Sequence, residues 1–83
     1  MLQSRRQIYR VVYDRTTPCW TIEMDGRTRP VTRVIAKAEA IELALKLGRS
    51  AELGQVLVHG RDGSIETEYM FGEITAESTR LAS

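Results

Sequence analysis

The sequence predicts an α+β domain of two layers, an antiparallel sheet with one helix packed on one face, in the order β-β-β-α-β-β. Three observations lead there. Apolar and polar residues alternate with a period of two in several runs on both sides of residues 35–48. Residues 35–48 themselves are rich in Ala, Lys, Glu and Leu, with no breaker before Gly48. Asp25-Gly26 and Gly60-Arg61-Asp62-Gly63 separate alternating runs, as hairpin turns do.

Taken in order, Gln7 to Asp14 reads as a strand with Tyr9, Val11 and Tyr13 on one face and Ile8, Arg10, Val12 and Asp14 on the other. Arg15-Thr16-Thr17-Pro18 is a turn. Cys19 to Asp25 alternates cleanly, with Trp20, Ile22 and Met24 inward and Cys19, Thr21 and Glu23 outward. Arg27 to Val34 is a third strand, placed at an edge or a bulge by Pro30, which has no N–H for a ladder. The helix follows over residues 35–48, with Glu42 and Lys46 in the favourable i, i+4 order. Gln55 to His59 is a compact apolar run of the kind that forms a buried strand. Ser64 to Phe71 alternates again, Ile65, Thr67, Tyr69 and Phe71 against Glu66 and Glu68.

A chain of 83 residues supports one domain, expected over residues 7–72, with a flexible segment at 1–6 and a flexible or short-helical tail at 73–83. One cysteine and one histidine leave no intrachain disulfide and no zinc site of Cys and His ligands. No apolar run approaches the roughly 20 residues of a membrane helix. The basic start runs into a strand-like segment and does not read as a signal peptide, so the expected location is the cytoplasm. Neither a cofactor nor a metal is expected.

Charge is balanced overall, at +1, but not along the chain. Residues 1–37 hold eight basic residues against three acids, and residues 38–83 hold four against eight. The outward face of the first three strands would carry Arg10, Arg27, Arg29 and Arg33, a set suited to phosphate oxygens and guanine edges. The competing reading has Glu23, Glu66 and Glu68 pairing with these arginines across strands and cancelling their potential.

No nucleophile–base set and no phosphate-binding glycine loop is present, and the chain is not expected to be an enzyme. His59 and Asp62 bracket a turn and read as turn residues. Arg61, at the tip of that turn, reads as solvated, and Cys19 as an inert thiol on the outer face. The aromatic residues Tyr9, Tyr13, Trp20, Tyr69 and Phe71 read as core and not as a stacking platform for single strands. The apolar side of the helix spreads over about 200°, wider than one sheet contact covers. Ala36, Leu43, Leu45 and Leu47 are therefore the candidate protein interface, for self-association or a protein partner. Nucleic acid is the alternative partner.

Four stretches then fall in a familiar order: Tyr9-Arg10-Val11-Val12, Trp20-Thr21-Ile22, Lys37-Ala38-Glu39-Ala40-Ile41, and Val56-Leu57-Val58-His59-Gly60-Arg61-Asp62-Gly63-Ser64-Ile65. Over residues 7–72 the series resembles the bacterial family known as domain of unknown function 2188. The resemblance speaks for the fold and carries no agreed activity. The family usually has a capping Asp-Thr before Lys-Ala-Glu-Ala, where this chain has Ile35-Ala36, which leaves Thr32 as an earlier cap. More loosely, residues 7–48 are similar to the arm-type DNA-binding domains of phage integrases, which lay a three-stranded sheet against the major groove.

Overall fold

The computed structural model describes residues 6–72. The expectations for residues 1–6, apart from Arg6, and for 73–83 lie outside them. Five strands and one helix follow the expected order: β1 (Gln7–Asp14), β2 (Cys19–Met24), β3 (Thr32–Val34), α1 (Lys37–Ser50), β4 (Gly54–His59) and β5 (Ile65–Phe71). They form one sheet in the order β3-β2-β1-β4-β5, with α1 on one face.

The sheet is mixed, which corrects the expectation of an antiparallel one. Each hairpin pair is antiparallel, but β1 and β4 run parallel, Tyr9 beside Val56 and Val11 beside Val58. The cause is the helix. It carries the chain back along the sheet, so β4 starts at the end where β1 starts and runs the same way. A reading of turns alone sees only the hairpins.

The core lies between α1 and the sheet. Tyr9, Val11, Trp20, Ile22, Val56 and Val58 meet Ala40 and Ala44. The helix contacts the sheet through Ala40, Ala44 and Gly48, spaced i, i+4, i+8, so its backbone sits low. A Cβ at Gly48 would stand 2.9 Å from Val56 Cγ2. Gly48 is thus a packing residue, and the helix runs past it to Ser50. Ile41, Leu43, Leu45 and Leu47 flank this stripe, half-buried against the core.

The helix begins at Lys37, two residues later than expected, with Ala36 as an N-cap that offers no side-chain bond. Thr32 cannot serve as that cap because it lies in β3, paired with Ile22. The third strand is also shorter than expected. Val31 N–H still reaches the Ile22 carbonyl, at 2.7 Å, but residues 27–30 form a loop. Pro30 has no N–H to offer a ladder there. Gly26 and Gly63 both take positive φ, 95° and 91°, in the turns foreseen for them.

Candidate interaction surface

Because β5 lies at the edge of the sheet, one side of its backbone is bare among the described residues. Which groups are bare follows from the ladders. Gln7 N–H donates to the Leu53 carbonyl, so Leu53, Gln55 and Leu57 turn their backbone groups toward β1. Gly54, Val56 and Val58 then turn theirs toward β5, onto Phe71, Tyr69 and Thr67. Glu68 and Met70, the residues between, point N–H and C=O away from the sheet.

The side chains of this strand are exposed in a way the alternation did not foresee. Ile65 is 57% exposed, Met70 52% and Tyr69 37%. Only Phe71 is partly sheltered, beside Gly48 and with the Arg49 guanidinium 5.7 Å from its ring centre. A register shift at Val58/His59 breaks the expected face. It places Ile65 opposite His59 on the helix-free side and Thr67 opposite Val58 on the helix side. Glu66 is the extra residue of this bulge. It also turns to the helix side, where Lys37 Nζ reaches its carboxylate at 2.5 Å. Glu68 stays on the helix-free face, bonded to the Gln55 amide.

The four candidate arginines do not form one face. Arg10 lies on the helix-free side and is engaged: its Nε donates to Asp25 at 2.8 Å and its Nη2 at 3.3 Å. By register its cross-strand neighbour is Glu23, yet the guanidinium reaches the carboxylate two residues further on. That bond holds the Asp25 carboxyl below the usual carboxylate range. Arg10 Nη1 also lies 3.4 Å from His59 Nε2. His59 Nδ1 lies 2.9 Å from the Gly63 carbonyl, which can only accept. The proton therefore sits on Nδ1, and Nε2 accepts from Arg10.

Arg33 faces the helix-free side from β3, opposite Thr21. With Val12, Asp14, Glu23 and Pro30 it borders a shallow depression of about 270 Å³. Arg27 and Arg29 lie on the β2–β3 loop and not on a strand, because the third strand is short. Among the described residues Arg27, Arg29 and Arg33 have no hydrogen-bonded carboxylate. Of the acids expected to pair with them, Glu66 is on Lys37 and Glu68 on Gln55, while Glu23 borders the same depression as Arg33.

The candidate interface residues on the helix divide as well. Leu45 and Arg49 are one turn apart, and Arg49 stands over Phe71, so Leu45 flanks the β5 side. Leu43 and Leu47 lie on the opposite flank, and Ala36 is exposed before the first turn. The turn residues settle locally. Asp62 accepts from Ser64 N–H and Oγ and does not meet His59. Arg61 is exposed but stacked, its guanidinium 4.8 Å from the Tyr13 ring centre. Tyr13 in turn lies 5.0 Å from Trp20, over which Lys37 Nζ sits at 5.1 Å. Cys19 is on the outer face as expected, yet buried. Among the described residues no cluster of His, Cys, Asp and Glu could hold a metal. No described helix is long and apolar enough to cross a membrane.

A helix laid on one face of a mixed five-stranded sheet, with an acidic and apolar strand at its open edge, defines the class of domain. The chain belongs to the bacterial family described as "Uncharacterized protein conserved in bacteria (DUF2188)", whose sequence model matches residues 9–71. No curated protein and no solved structure matches it.

Proposed function

We propose that this chain is an interaction module and not a catalyst, and that it works by adding a protein strand to the edge of β5. The observation that carries the reading is the coincidence on one strand of outward backbone groups, at Glu68 and Met70, with the exposed side chains of Ile65, Tyr69 and Met70. Unprotected strand edges pair with other chains unless charge, proline or shortness prevents it. The opposite edge, β3, is three residues long and follows Pro30, so it is poorly suited to the task. Edge pairing supplies affinity through main-chain bonds, and alternate side chains supply specificity.

A peptide of alternating valine and lysine tests this. Its lysines, all on one face, suit Glu68 on the helix-free side, and its backbone suits the bare edge. Amide shifts confined to residues 65–72, lost in Met70→Pro, are the expected result. Shifts elsewhere, or none at a concentration where the chain is monomeric, would remove the reading.

One observation favours a second reading. Arg27 and Arg29 are exposed with no carboxylate hydrogen-bonded to them among the described residues, and no acid falls between Asp25 and Glu39, while Arg33 is exposed within the field of Asp14. A duplex phosphate backbone would suit such a loop. Arg10, bound to Asp25, has no part in it.

A further inference from the structure

We infer that the strand that completes the β5 edge is β5 of a second copy, running antiparallel about a two-fold axis at Tyr69. This rests on the edge-pairing reading above and names its occupant. Side chains facing each other across two strands must lie on the same face of the joined sheet. Every two-fold antiparallel register of β5 therefore has one residue opposite itself.

Three centres are available near the middle of the strand, and charge and backbone direction separate them. A centre at Glu68 sets two carboxylates directly opposite each other, which is destabilising. A centre at Met70 leaves Ile65 through Glu68 beyond the end of the partner strand, which closes at Phe71. A centre at Tyr69 pairs Thr67 through Phe71 with the same five residues of the second copy and leaves only Ile65 and Glu66 beyond the end of its strand. Glu68 then faces Met70 of the second copy, and Thr67 faces Phe71. Glu66 falls opposite Gly72.

In this register Glu68 and Met70, whose N–H and C=O point outward, form hydrogen-bonded pairs with Met70 and Glu68 of the other copy. Each pair exchanges two bonds. Tyr69, whose backbone is engaged with Val56, becomes a non-hydrogen-bonded pair with its own copy. That is the closer kind of pair, suited to two aromatic rings. The exposed Met70 side chain is covered by the methylenes of Glu68. Glu66 is paired with Lys37 within each copy, whereas the Gln55 amide bonds Glu68 without neutralising it, so the Glu68 carboxylates are the one charge that the joined edges bring together. Two five-stranded sheets merge into one, with both helices on the same face and Leu45 of each on the side toward the seam.

Glu68 and its copy are diagonal neighbours, roughly 7–8 Å apart by sheet geometry. Their repulsion gives the association a signature: it tightens with added salt, and Glu68→Gln tightens it further.

Sedimentation equilibrium from about 10 to 500 μM, a range that spans weak interfaces, is the first arm of the test. A dimer whose dissociation constant falls with salt, and rises at least tenfold in Tyr69→Glu, is expected. The second arm fixes the register without a disruptive substitution. In a Cys19→Ser background, Tyr69→Cys places two thiols opposite each other, and oxidised glutathione should link them into a folded dimer. Glu68→Cys, opposite Met70 and not itself, should link far more slowly. Equal rates, or a dimer unaffected by Tyr69→Glu, would overturn the inference. So would a chain that stays monomeric throughout. A monomer whose β5 amides still respond to the valine–lysine peptide would overturn self-pairing alone and leave the edge-pairing function standing.

Discussion

A Cβ built on Gly54 would lie 2.0 Å from the carbonyl oxygen of Gly48. The last turn of the helix and the first residue of β4 therefore meet backbone to backbone, with no room for a side chain between. Gly54→Ala must push apart two segments that cannot rotate out of the way. The expected cost is about 3 kcal/mol, at the upper end for overpacking, read as a lower urea midpoint with unchanged slope. Gly48→Ala meets only side chains, Val56 and Phe71, and regains up to about 1 kcal/mol of helix propensity. Its net effect should be the smaller by at least about 1 kcal/mol.

The missing cap at Ala36 offers the opposite sign. Its φ of −97° and ψ of 135° already suit an N-cap, and only the side-chain acceptor is absent. Ala36→Asp or Ala36→Ser should stabilise the domain by about 1 kcal/mol in urea unfolding. No gain would mean that the first-turn N–H groups are satisfied by water as well as by a cap.

Acid should destabilise the domain through a few aspartates. Bonds lower the carboxyls of Asp25 (from Arg10), Asp14 (from Thr17 and Thr16) and Asp62 (from Ser64). A lowered folded-state value means that the unfolded chain binds protons first as pH falls. The stabilisation is therefore complete above about pH 5 and is lost progressively below about pH 4. Asp25→Asn should flatten the acid limb of a stability–pH curve measured by urea titration. Asp25 and Asp62 are exposed and Asp14 is half-exposed, so each effect is small and is reduced by salt.

If the β2–β3 loop touches nucleic acid, Arg27→Glu and Arg29→Glu together should abolish duplex binding. Arg10→Gln should leave it intact, because that guanidinium is held by Asp25. Fluorescence anisotropy at about 50 and 200 mM salt would read a slope of roughly 0.9 per phosphate contact. Binding that survives the double charge reversal would exclude this loop.

What the sequence made legible follows from its local rules. The element order, the helix and the two glycine turns rest on period, propensity and turn chemistry within a few residues, and each is in place. The parallel pairing of β1 with β4 depends on where the helix delivers the chain, which no window of sequence contains. The bulge at Glu66 has the same character. Ser64 to Phe71 alternates without a flaw, yet Ile65 ends opposite His59 because one extra residue enters the ladder. The arginines illustrate a third limit. Alternation placed Arg10 on the correct face but could not foresee that Asp25, beyond the paired residue, would take its guanidinium. The exposed edge was missed because strand order decides which alternating strand has a neighbour. Nothing in the alternation of residues 64–71 separates an edge strand from a central one.

The placement of β1 has a consequence for how the chain comes off the ribosome. Its neighbours are β2, four residues downstream, and β4, whose paired residues lie 47 positions away. Everything through α1 emerges before β4 does. Until then, the inner edge of β1, with Tyr9 and Val11, has no strand beside it, and α1 has no Val56 or Val58 to cover. Native pairing waits for a distant closure, so the nascent chain passes through an open-edged stage. A message broken within the helix codon run would release a polypeptide arrested at that stage, with its central strand offered to any neighbour.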